Sequence, residues 1–332
     1  MRPDPAITSL LASAGWAGAM ARPMAGDAST KRFARLTGAD GRRAILMTAD
    51  PSVAGTFSHV TGLLQGMGLS APRILAADTA AGHLLIEDLG DALYATVIAD
   101  TPELEKTLYR HATAVLVRLG EHPAPDLPRY DTATMVDQAL FALRWYHADT
   151  PARDAAFAAC LTALLDAHVP AGGDVLMLRD YHAQNLVWLP QRQGPARVGL
   201  LDFQDATRAH PAYDLVSLLQ DARRDVSPAV AQTVRDEFLR RTGHPEEAFN
   251  AAFAVLGAQR ALRILGIFAR LCLAACRAQY VPLMPRVWAH LQTNLAHPAL
   301  APLRDLVARD LPAPCPDFLK ELTARCGTHD SR

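Results

Sequence analysis

The sequence predicts an α+β fold of two lobes, a small sheet-rich N-terminal lobe and a larger, mainly helical C-terminal lobe. The chain has 332 residues, which is enough for two lobes with a cleft between them. Stretches in the later part of the chain repeat apolar residues with helical spacing. We expect lobes at residues 1–86 and 92–332, joined by a linker at 87–91.

The N-terminal lobe is predicted to be a small sheet with one helix. In chain order we expect a tight loop at Ala25–Thr30, strands at Lys31–Leu36, Arg43–Met47 and His83–Ile86, and a helix at Val53–Met67. The loop contains one Gly and two small residues. These suit a segment whose backbone N–H groups cover phosphates, but they are also typical of an ordinary turn.

The C-terminal lobe is predicted to be helical. The expected helices are Pro102–Gly120, Ala133–His147, Tyr213–Ala222, Pro228–Thr242 and Ala248–Arg277. The last thirty residues are rich in Pro and Ala, from which we expect a loosely packed tail.

Two motifs indicate the chemistry of the chain. Leu178–Asn185 reads Leu-Arg-Asp-Tyr-His-Ala-Gln-Asn, and Leu200–Asp205 reads Leu-Leu-Asp-Phe-Gln-Asp. Together they supply a carboxylate, a carboxamide five residues later and a second carboxylate after an apolar run. Phosphoryl transfer needs such a set, one base to orient a hydroxyl and two oxygen ligands for magnesium. A single Asp in a loop is more typical of a turn or cap, but the joint order favours phosphotransfer.

The segment between the motifs predicts a β-hairpin. Leu186–Leu189 and Val198–Leu201 are apolar, and residues 190–195 are dense in turn formers. In a hairpin the residue before the first strand lies beside the residue after the second, so Asn185 and Asp202 should meet at the open end. Their oxygen atoms suit magnesium better than zinc. Asp180 lies on the preceding loop, where it could reach an acceptor hydroxyl.

Composition argues against several classes of partner. The formal net charge is −1, from 33 Lys and Arg against 34 Asp and Glu, so no basic field favours nucleic acid or a membrane surface. The five cysteines show no zinc or redox spacing, and their odd number suits a reducing compartment. Ile7–Ala21 superficially resembles a signal peptide, but Asp4 and Pro5 interrupt its start. We expect an amphipathic helix there and a cytoplasmic protein.

The two motifs resemble those of the aminoglycoside phosphotransferase superfamily, which has the protein-kinase-like fold. Within it the chain is similar to the branch of bacterial anomeric kinases that act on N-acetylmuramate and N-acetylglucosamine in cell-wall recycling. The likeness runs from about Gly26 to Leu303. The stretches that carry it are Gly26–Ser29, Leu85–Asp91, Arg179–His182, Asp202–Ala206, Tyr213–Leu218, Gln259–Phe268 and Pro285–Trp288.

The resemblance implies an ATP- and magnesium-dependent sugar kinase, a monomer or weak dimer, with a small amino sugar as its partner. Asp180 would be the catalytic base, and Asn185 and Asp202 would hold magnesium on the nucleotide. The phosphates would contact Gly26, Asp27, Ala28 and Ser29, and adenine would contact the backbone at Glu87 and Leu89. The sugar would contact Asp180, and Gln204 and Asp205 would contact the sugar or the metal. For Gln204 and Asp205 a structural role is an equal alternative. Asp214 and His182 are expected to brace the catalytic loop.

The chain departs from the family pattern at two places. The catalytic loop usually has a scaffold His where this chain has Leu178, so we expect catalysis to survive. Typical kinases carry a phosphate-binding Lys near the end of strand Arg43–Met47 and a partner Glu on the next helix. Here Met47 takes the place of the Lys, and residues 51–69 contain no acid. Lys31 or Arg32 could supply the missing charge, although either could instead be a solvated strand residue.

The stretch Ala248–Arg304 contains no acidic residue but several arginines, among them Arg263. Such a surface is a poor host for polycationic aminoglycosides. Arginine can instead bind a carboxylate, such as the lactyl group of N-acetylmuramate, through two parallel hydrogen bonds. We therefore place Arg263 in the predicted sugar site. The alternative is that these arginines pair with carboxylates of other helices or face water.

Two other functions stay open at this stage. One is another small-molecule kinase of the same fold, for an aminoglycoside, choline, homoserine or a different sugar. The other is a degenerate kinase that binds nucleotide and regulates a partner. The intact set of Asp180, Asn185 and Asp202 favours an enzyme, and the choice between the two amino sugars is not fixed by the sequence.

Overall fold

The structure, a computed structural model, describes residues 4–24, 31–147 and 151–329. The strands are β1 Met20–Pro23, β2 Arg32–Thr37, β3 Arg43–Thr48, β4 Ile74–Asp78, β5 His83–Glu87, β6 Val175–Met177, β7 Leu186–Trp188, β8 Val198–Leu200 and β9 Thr207–Ala209. The α-helices are α1 Pro5–Ser13, α2 Pro51–Gly66, α3 Tyr94–Asp100, α4 Glu105–Gly120, α5 Thr132–Ala139, α6 Pro151–His168, α7 Ala212–Leu219, α8 Pro228–Thr242, α9 Glu246–Ala275, α10 Met284–Leu295, α11 Ala301–Asp310 and α12 Pro316–Ala324.

The chain divides into two compact units. The first comprises Met1–His122 and Leu178–Ala206, and the second comprises Pro123–Met177 and Thr207–Arg332. The segment that carries both sequence motifs therefore packs with the N-terminal part of the chain. The limits expected from the sequence, 1–86, 87–91 and 92–332, describe the lobes of the predicted fold rather than compact units of the chain. They stay a prediction.

The first unit is built on a five-stranded antiparallel sheet in the order β1-β2-β3-β5-β4. Its central strand β3 is apolar at four successive positions, all of them buried, as expected for a strand covered on both faces. On one face, Leu36, Ala44, Leu46 and Leu85 form a cluster with Trp16. Because strand residues alternate between faces, the intervening residues of β2 and β3 point to the opposite face.

Helix α2 follows β3 directly. Pro51 occupies its first turn, where the missing N–H costs nothing. Its buried residues Ala54, Phe57, Val60 and Leu64 recur at intervals of three and four, which is the apolar stripe of a helix that covers a sheet. The stripe packs near β5.

The second unit is organised around α9. Almost every residue of this helix from Phe249 to Leu273 is buried, and α5, α6, α7 and α10 contact it. Among the described residues α9 is the helix long and apolar enough to cross a bilayer, and 89% of its most apolar window is buried in the protein. A helix that is buried on all its faces in this way is a core helix of the protein.

The predicted α+β class is confirmed, and most predicted elements are found within a few residues of their expected bounds. The helix predicted at Ala133–His147 is interrupted, because α5 ends at Ala139 and a π-helical turn follows at Ala142–Tyr146. The prediction of a loosely packed tail was wrong. The tail forms helices α11 and α12, and Leu303 and Val307 on α11 are 0% and 1% exposed. The predicted loop Ala25–Thr30 lies outside the described residues.

Candidate active site

The hairpin predicted between the two motifs is present. Strands β7 and β8 pair antiparallel with Leu186 opposite Leu200. One step further, the N–H of Leu201 donates to the carbonyl oxygen of Asn185 at 2.9 Å. Asn185 is therefore fixed beside Leu201, the residue that precedes Asp202. The strand–turn–strand prediction is confirmed, and it brings the ends of the two motifs together.

The side chain of Asn185 connects this hairpin end to the loop that carries Asp180. Its Nδ2 donates to the carbonyl oxygen of Asp180 at 2.9 Å. An amide group that donates through nitrogen in this direction presents its Oδ1 as an acceptor. Asn185 thus holds the loop with one atom and offers a hard oxygen ligand with the other.

The Asp180 loop is also anchored from its other side. The hydroxyl of Tyr181 donates to the carbonyl oxygen of Ala112 on α4 at 2.9 Å, and the Tyr181 side chain is fully buried. Leu178, which replaces the usual scaffold His, is 3% exposed. Arg179 has a positive φ of 71°, an uncommon conformation for a residue with a side chain. Apolar packing and one buried hydrogen bond hold Asp180, which is half-buried, in a bent segment.

Asp202 follows β8 in the left-handed conformation, with φ of 57°. Such backbone strain persists only where the surroundings hold it, and it is common at functional sites. The Asp202 side chain is 43% exposed, and its Oδ1 forms an ion pair with the amine of Lys31. Asp202 therefore combines a fixed backbone with an accessible carboxylate.

Gln204 lies between two carboxylates. Its Nε2 is 3.2 Å from Asp202 Oδ1 and 3.3 Å from Asp205 Oδ2. Gln204 is 8% exposed, whereas Asp205 is exposed. The buried amide of Gln204 contacts both acidic side chains, and both of them are exposed.

An aromatic contact, which was not expected from the sequence, ties α2 to the Asp202 segment. The rings of Phe57 and Phe203 stack with centroids 4.8 Å apart, and both side chains are buried. Phe203 was visible inside the motif, but no local signal identified Phe57 as its partner. The stack fixes the residue next to Asp202 on the sheet-covering helix.

Residues 87–91, which were predicted to form the linker, are held by charged groups. Arg35 on β2 contacts Asp88 at 2.8 Å and Asp91 at 2.7 Å. The hydrogen bond from Arg35 lowers the pKa of Asp91 below its ordinary value, because it favours the charged form. Glu87 is also committed inside the protein: its carboxylate contacts Arg192 at 2.8 Å, and its N–H donates to a carbonyl oxygen at 2.8 Å.

For nucleotide binding, the side chain and N–H of Glu87 are thus engaged within the protein, and Leu89 is half-buried. The predicted adenine contacts at both residues stay a prediction. Gly26, Asp27, Ala28 and Ser29, the predicted phosphate loop, lie outside the described residues.

Arg263 belongs to the second unit. It lies on α9, is 7% exposed, and its NH1 is 3.4 Å from the hydroxyl of Tyr213. Asp214 is buried in the same unit. Arg286, another arginine of the acid-free stretch, forms bonds of 2.7 and 3.0 Å with Asp225, so it follows the alternative of pairing with a carboxylate. The place of Arg263 in a sugar site stays a prediction.

The oxygen donors at the hairpin end fit a magnesium ion that takes its other ligands from phosphate and water. Asn185 Oδ1 and the exposed carboxylate of Asp202 are hard donors of the type that magnesium prefers. Across residues 4–24, 31–147 and 151–329, no three His, Cys, Asp or Glu side chains assemble into an all-protein cage. Two protein ligands beside substrate phosphates are the usual arrangement for magnesium in phosphotransfer sites.

Comparison with known proteins decides the family. Residues 21–249 match the model of the phosphotransferase enzyme family. The chain belongs to this phosphotransferase family. It is 42% identical over 273 residues to an N-acetylmuramate/N-acetylglucosamine kinase of Caulobacter vibrioides, covering 77% of this chain and 74% of that one. It is 32% identical to a kinase of the same name from Pseudomonas aeruginosa, covering 92% and 94% of the two chains.

Solved structures support the same fold. A putative aminoglycoside phosphotransferase from Ralstonia eutropha is similar with a TM-score of 0.62 at 18% identity, covering 87% of this chain and 98% of that one. The choline kinase LicA from Streptococcus pneumoniae is similar with a TM-score of 0.60 at 15% identity, over the same shares of the two chains. The predicted family, fold and enzyme class are confirmed: the chain is a phosphotransferase, and as a kinase it uses ATP as phosphate donor.

Proposed function

We propose that this protein is a magnesium-dependent kinase that transfers the γ-phosphoryl group of ATP to the anomeric C1 hydroxyl of N-acetylmuramate or N-acetylglucosamine. The observation that carries the proposal is the hairpin end, where Asn185 bonds both to the Asp180 loop and to the residue before Asp202. The relatives from Caulobacter and Pseudomonas are named for these two amino sugars, and we extend their substrates to this chain.

Asp180 is proposed as the catalytic base. Its carboxylate would orient the sugar hydroxyl and take its proton while the new O–P bond forms and the bond from the γ-phosphorus to ADP breaks. An anomeric hydroxyl is more acidic than an ordinary alcohol, so a carboxylate is a sufficient base. The hydrogen bonds of Asn185 and Tyr181 on either side of the loop would keep Asp180 in position, and positioning supplies much of the rate gain in such reactions.

Asn185 and Asp202 are proposed as the protein ligands of the metal. A magnesium ion held there would neutralise charge on the transferring phosphoryl group. Gln204 would keep the Asp202 carboxylate oriented through its buried amide. Asp205, which is exposed, is proposed to contact the sugar.

We further propose that the reaction takes place in the cytoplasm during peptidoglycan recycling, with a monomer or weak dimer as the working form. The five cysteines are free thiols, which suits a reducing compartment.

The proposal can be tested with purified protein, ATP, magnesium and each amino sugar. We expect ADP release in a coupled assay and a product whose phosphorus NMR signal shows phosphate at C1. Asp180→Asn should keep nucleotide affinity but lower turnover by on the order of 10²- to 10⁴-fold, because the base is lost. Asp126→Asn, a change at an exposed loop carboxylate, is the matched control and should behave like the parent.

Several results would contradict the proposal in different ways. A phosphate at C6 would leave a sugar kinase but overturn the anomeric assignment. Turnover only with an aminoglycoside, choline or homoserine would overturn the substrate class. Nucleotide binding without any phosphorylated product would favour a regulatory protein, and an Asp180→Asn variant within tenfold of the parent would overturn the base assignment.

A further inference from the structure

Strand β3 of this chain lacks the lysine that binds the nucleotide phosphates in typical kinases. Met47, at the place where typical kinases have their phosphate-binding Lys, is fully buried. Helix α2, which would carry the partner Glu, has no acidic residue. Both halves of the usual ion pair are therefore absent from these two elements, and a kinase needs another positive group near the phosphates.

The pairing of β2 with β3 shows which residues near the start of β2 share a face with Met47. Phe33 pairs with Met47, so the two residues share one face of the sheet. Lys31 directly precedes β2, two positions before Phe33, and continuing the alternation of the strand by one residue assigns Lys31 to the face of Phe33. Lys31 is therefore a diagonal neighbour of Met47 across the strand pair, on the same side.

Arg32 points the other way. It alternates with Lys31 and shares its parity with Ala34 and Leu36. Leu36 and Ala34 pack into the cluster around Trp16 on the opposite face of the sheet. The register thus separates the two cations that the sequence left as alternatives, and it places Lys31 on the face of Met47.

The contacts of Lys31 put its amine at the proposed metal site. The amine forms an ion pair with Asp202 Oδ1, and the Lys31 side chain is only 9% exposed. Lysine is almost never buried to this extent unless it is paired. The ion pair spans 171 positions of sequence, so the fold rather than local structure brings the amine to the carboxylate.

We propose that Lys31 is the phosphate-binding cation of this kinase and that it replaces the missing strand β3 lysine from the position directly before the neighbouring strand β2. Its amine would donate to nucleotide phosphate oxygens beside the metal carried by Asp202. The inference rests on the proposed function for its phosphate donor, but not on which sugar is the acceptor. An alternative is that the pair only ties the start of β2 to the Asp202 segment.

Nucleotide affinity measured without metal separates these alternatives. We would titrate ATP by calorimetry in the presence of EDTA, using the parent, Lys31→Met, Lys31→Arg and Asp202→Asn. If Lys31 binds phosphate, Lys31→Met should weaken ATP binding on the order of 10- to 100-fold, as expected for a lost charge-assisted hydrogen bond. Lys31→Arg should restore most of the affinity. Asp202→Asn should leave ATP binding unchanged or tighter, because it removes a negative charge near the phosphates.

A purely structural pair gives the opposite result for Asp202. Lys31→Met and Asp202→Asn would then weaken binding alike, and that outcome would overturn the proposal. So would a Lys31→Met protein that binds ATP as the parent does. The matched control is Arg32→Ala, which removes the adjacent positive charge from the other face and should stay within about threefold of the parent. Thermal unfolding of each variant verifies that it is folded.

Steady-state kinetics provide a second readout. Lys31→Met should raise KM for ATP more than KM for the sugar, because the lost contact is to the nucleotide. An equal rise in both would contradict the proposal. If the parent protein phosphorylates neither sugar while Lys31→Met still loses ATP affinity, then the proposed acceptor is wrong and the assignment of Lys31 stands.

Discussion

His210, which lies between β9 and α7, should contribute to the acid sensitivity of the second unit, together with His244 and His290, whose pKa values burial also lowers. The Nδ1 of His210 accepts a hydrogen bond from the N–H of Ala212 at 3.2 Å. Burial, and secondly the charge of His244, lower the pKa of His210 to about 4 from its ordinary 6.5. The folded protein therefore keeps this imidazole neutral at a pH where an unfolded chain would protonate it.

The sign and the size of the effect follow from this difference in pKa. Between pH 6.5 and about 4 the unfolded chain binds a proton that the folded chain does not, so stability is complete above 6.5 and falls as the pH is lowered. The full difference is at most about 3 kcal/mol, and at about pH 5 the loss is about 2 kcal/mol.

Urea unfolding at about pH 7 and about pH 5 measures this contribution. His210→Asn keeps an acceptor near the Nδ1 position but cannot be protonated. Between the two pH values the parent should lose about 2 kcal/mol more free energy of unfolding than this variant. His59→Asn, which removes an exposed imidazole from α2, is the control and should follow the parent. If the parent and His210→Asn lose equal stability, the reasoning from burial is refuted.

Two further pairs of substitutions test the site and the core. Asn185→Asp keeps an oxygen ligand but loses the donor to the Asp180 carbonyl, so it should bind magnesium-ATP while turnover falls about tenfold or more. Asn185→Ala should lose both magnesium-ATP affinity and turnover. Equal magnesium-ATP affinities for the two variants would contradict the assignment of Asn185 as a metal ligand. Gly266→Ala would place a Cβ atom 2.2 Å from the Phe141 backbone, so urea unfolding should show a loss of about 2 kcal/mol or more. Gly62→Ala, at an open helical position, should instead gain about 0.5–1 kcal/mol, and similar values for the two glycines would refute the steric argument.

The hairpin and its polar ends could be predicted because they depend on local signals. Leu186–Leu189 and Val198–Leu201 are short apolar runs on either side of turn formers. The pairing of such runs is fixed by the chain between them, so Asn185 and Asp202 followed from spacing alone. Where short-range order decides the geometry, the residues that lie beside one another can be predicted from the sequence.

The interrupted helix after α5 shows what local periodicity misses. Residues 133–147 have helical spacing throughout, and a continuous helix was the natural prediction. In the structure Gly266 of α9 lies against the Phe141 backbone, and the π-helical turn Ala142–Tyr146 follows. A close approach between two distant segments overrides local preference, and neither segment alone reveals it.

The tail was mispredicted for a different reason. Pro and Ala are common there, and composition was given more weight than spacing. Leu303 and Val307 are four residues apart on α11, and both are buried, which is the pattern of a helix with one apolar stripe. In this case the signal was present in the sequence.

The contacts around Asp202 suggest how this chain separates two tasks that a single ion pair performs in typical kinases. That pair both provides a cation for the phosphates and couples the helix after β3 to the site. Here the coupling is apolar, through the stack of Phe57 on Phe203, and the proposed cation is Lys31, which directly precedes the neighbouring strand β2. Because the helix makes its contact through buried rings, it needs no acid, and an acid there would lack a partner at Met47. The simultaneous absence of the Lys and the Glu is therefore consistent with an active enzyme, since each task has its own residues.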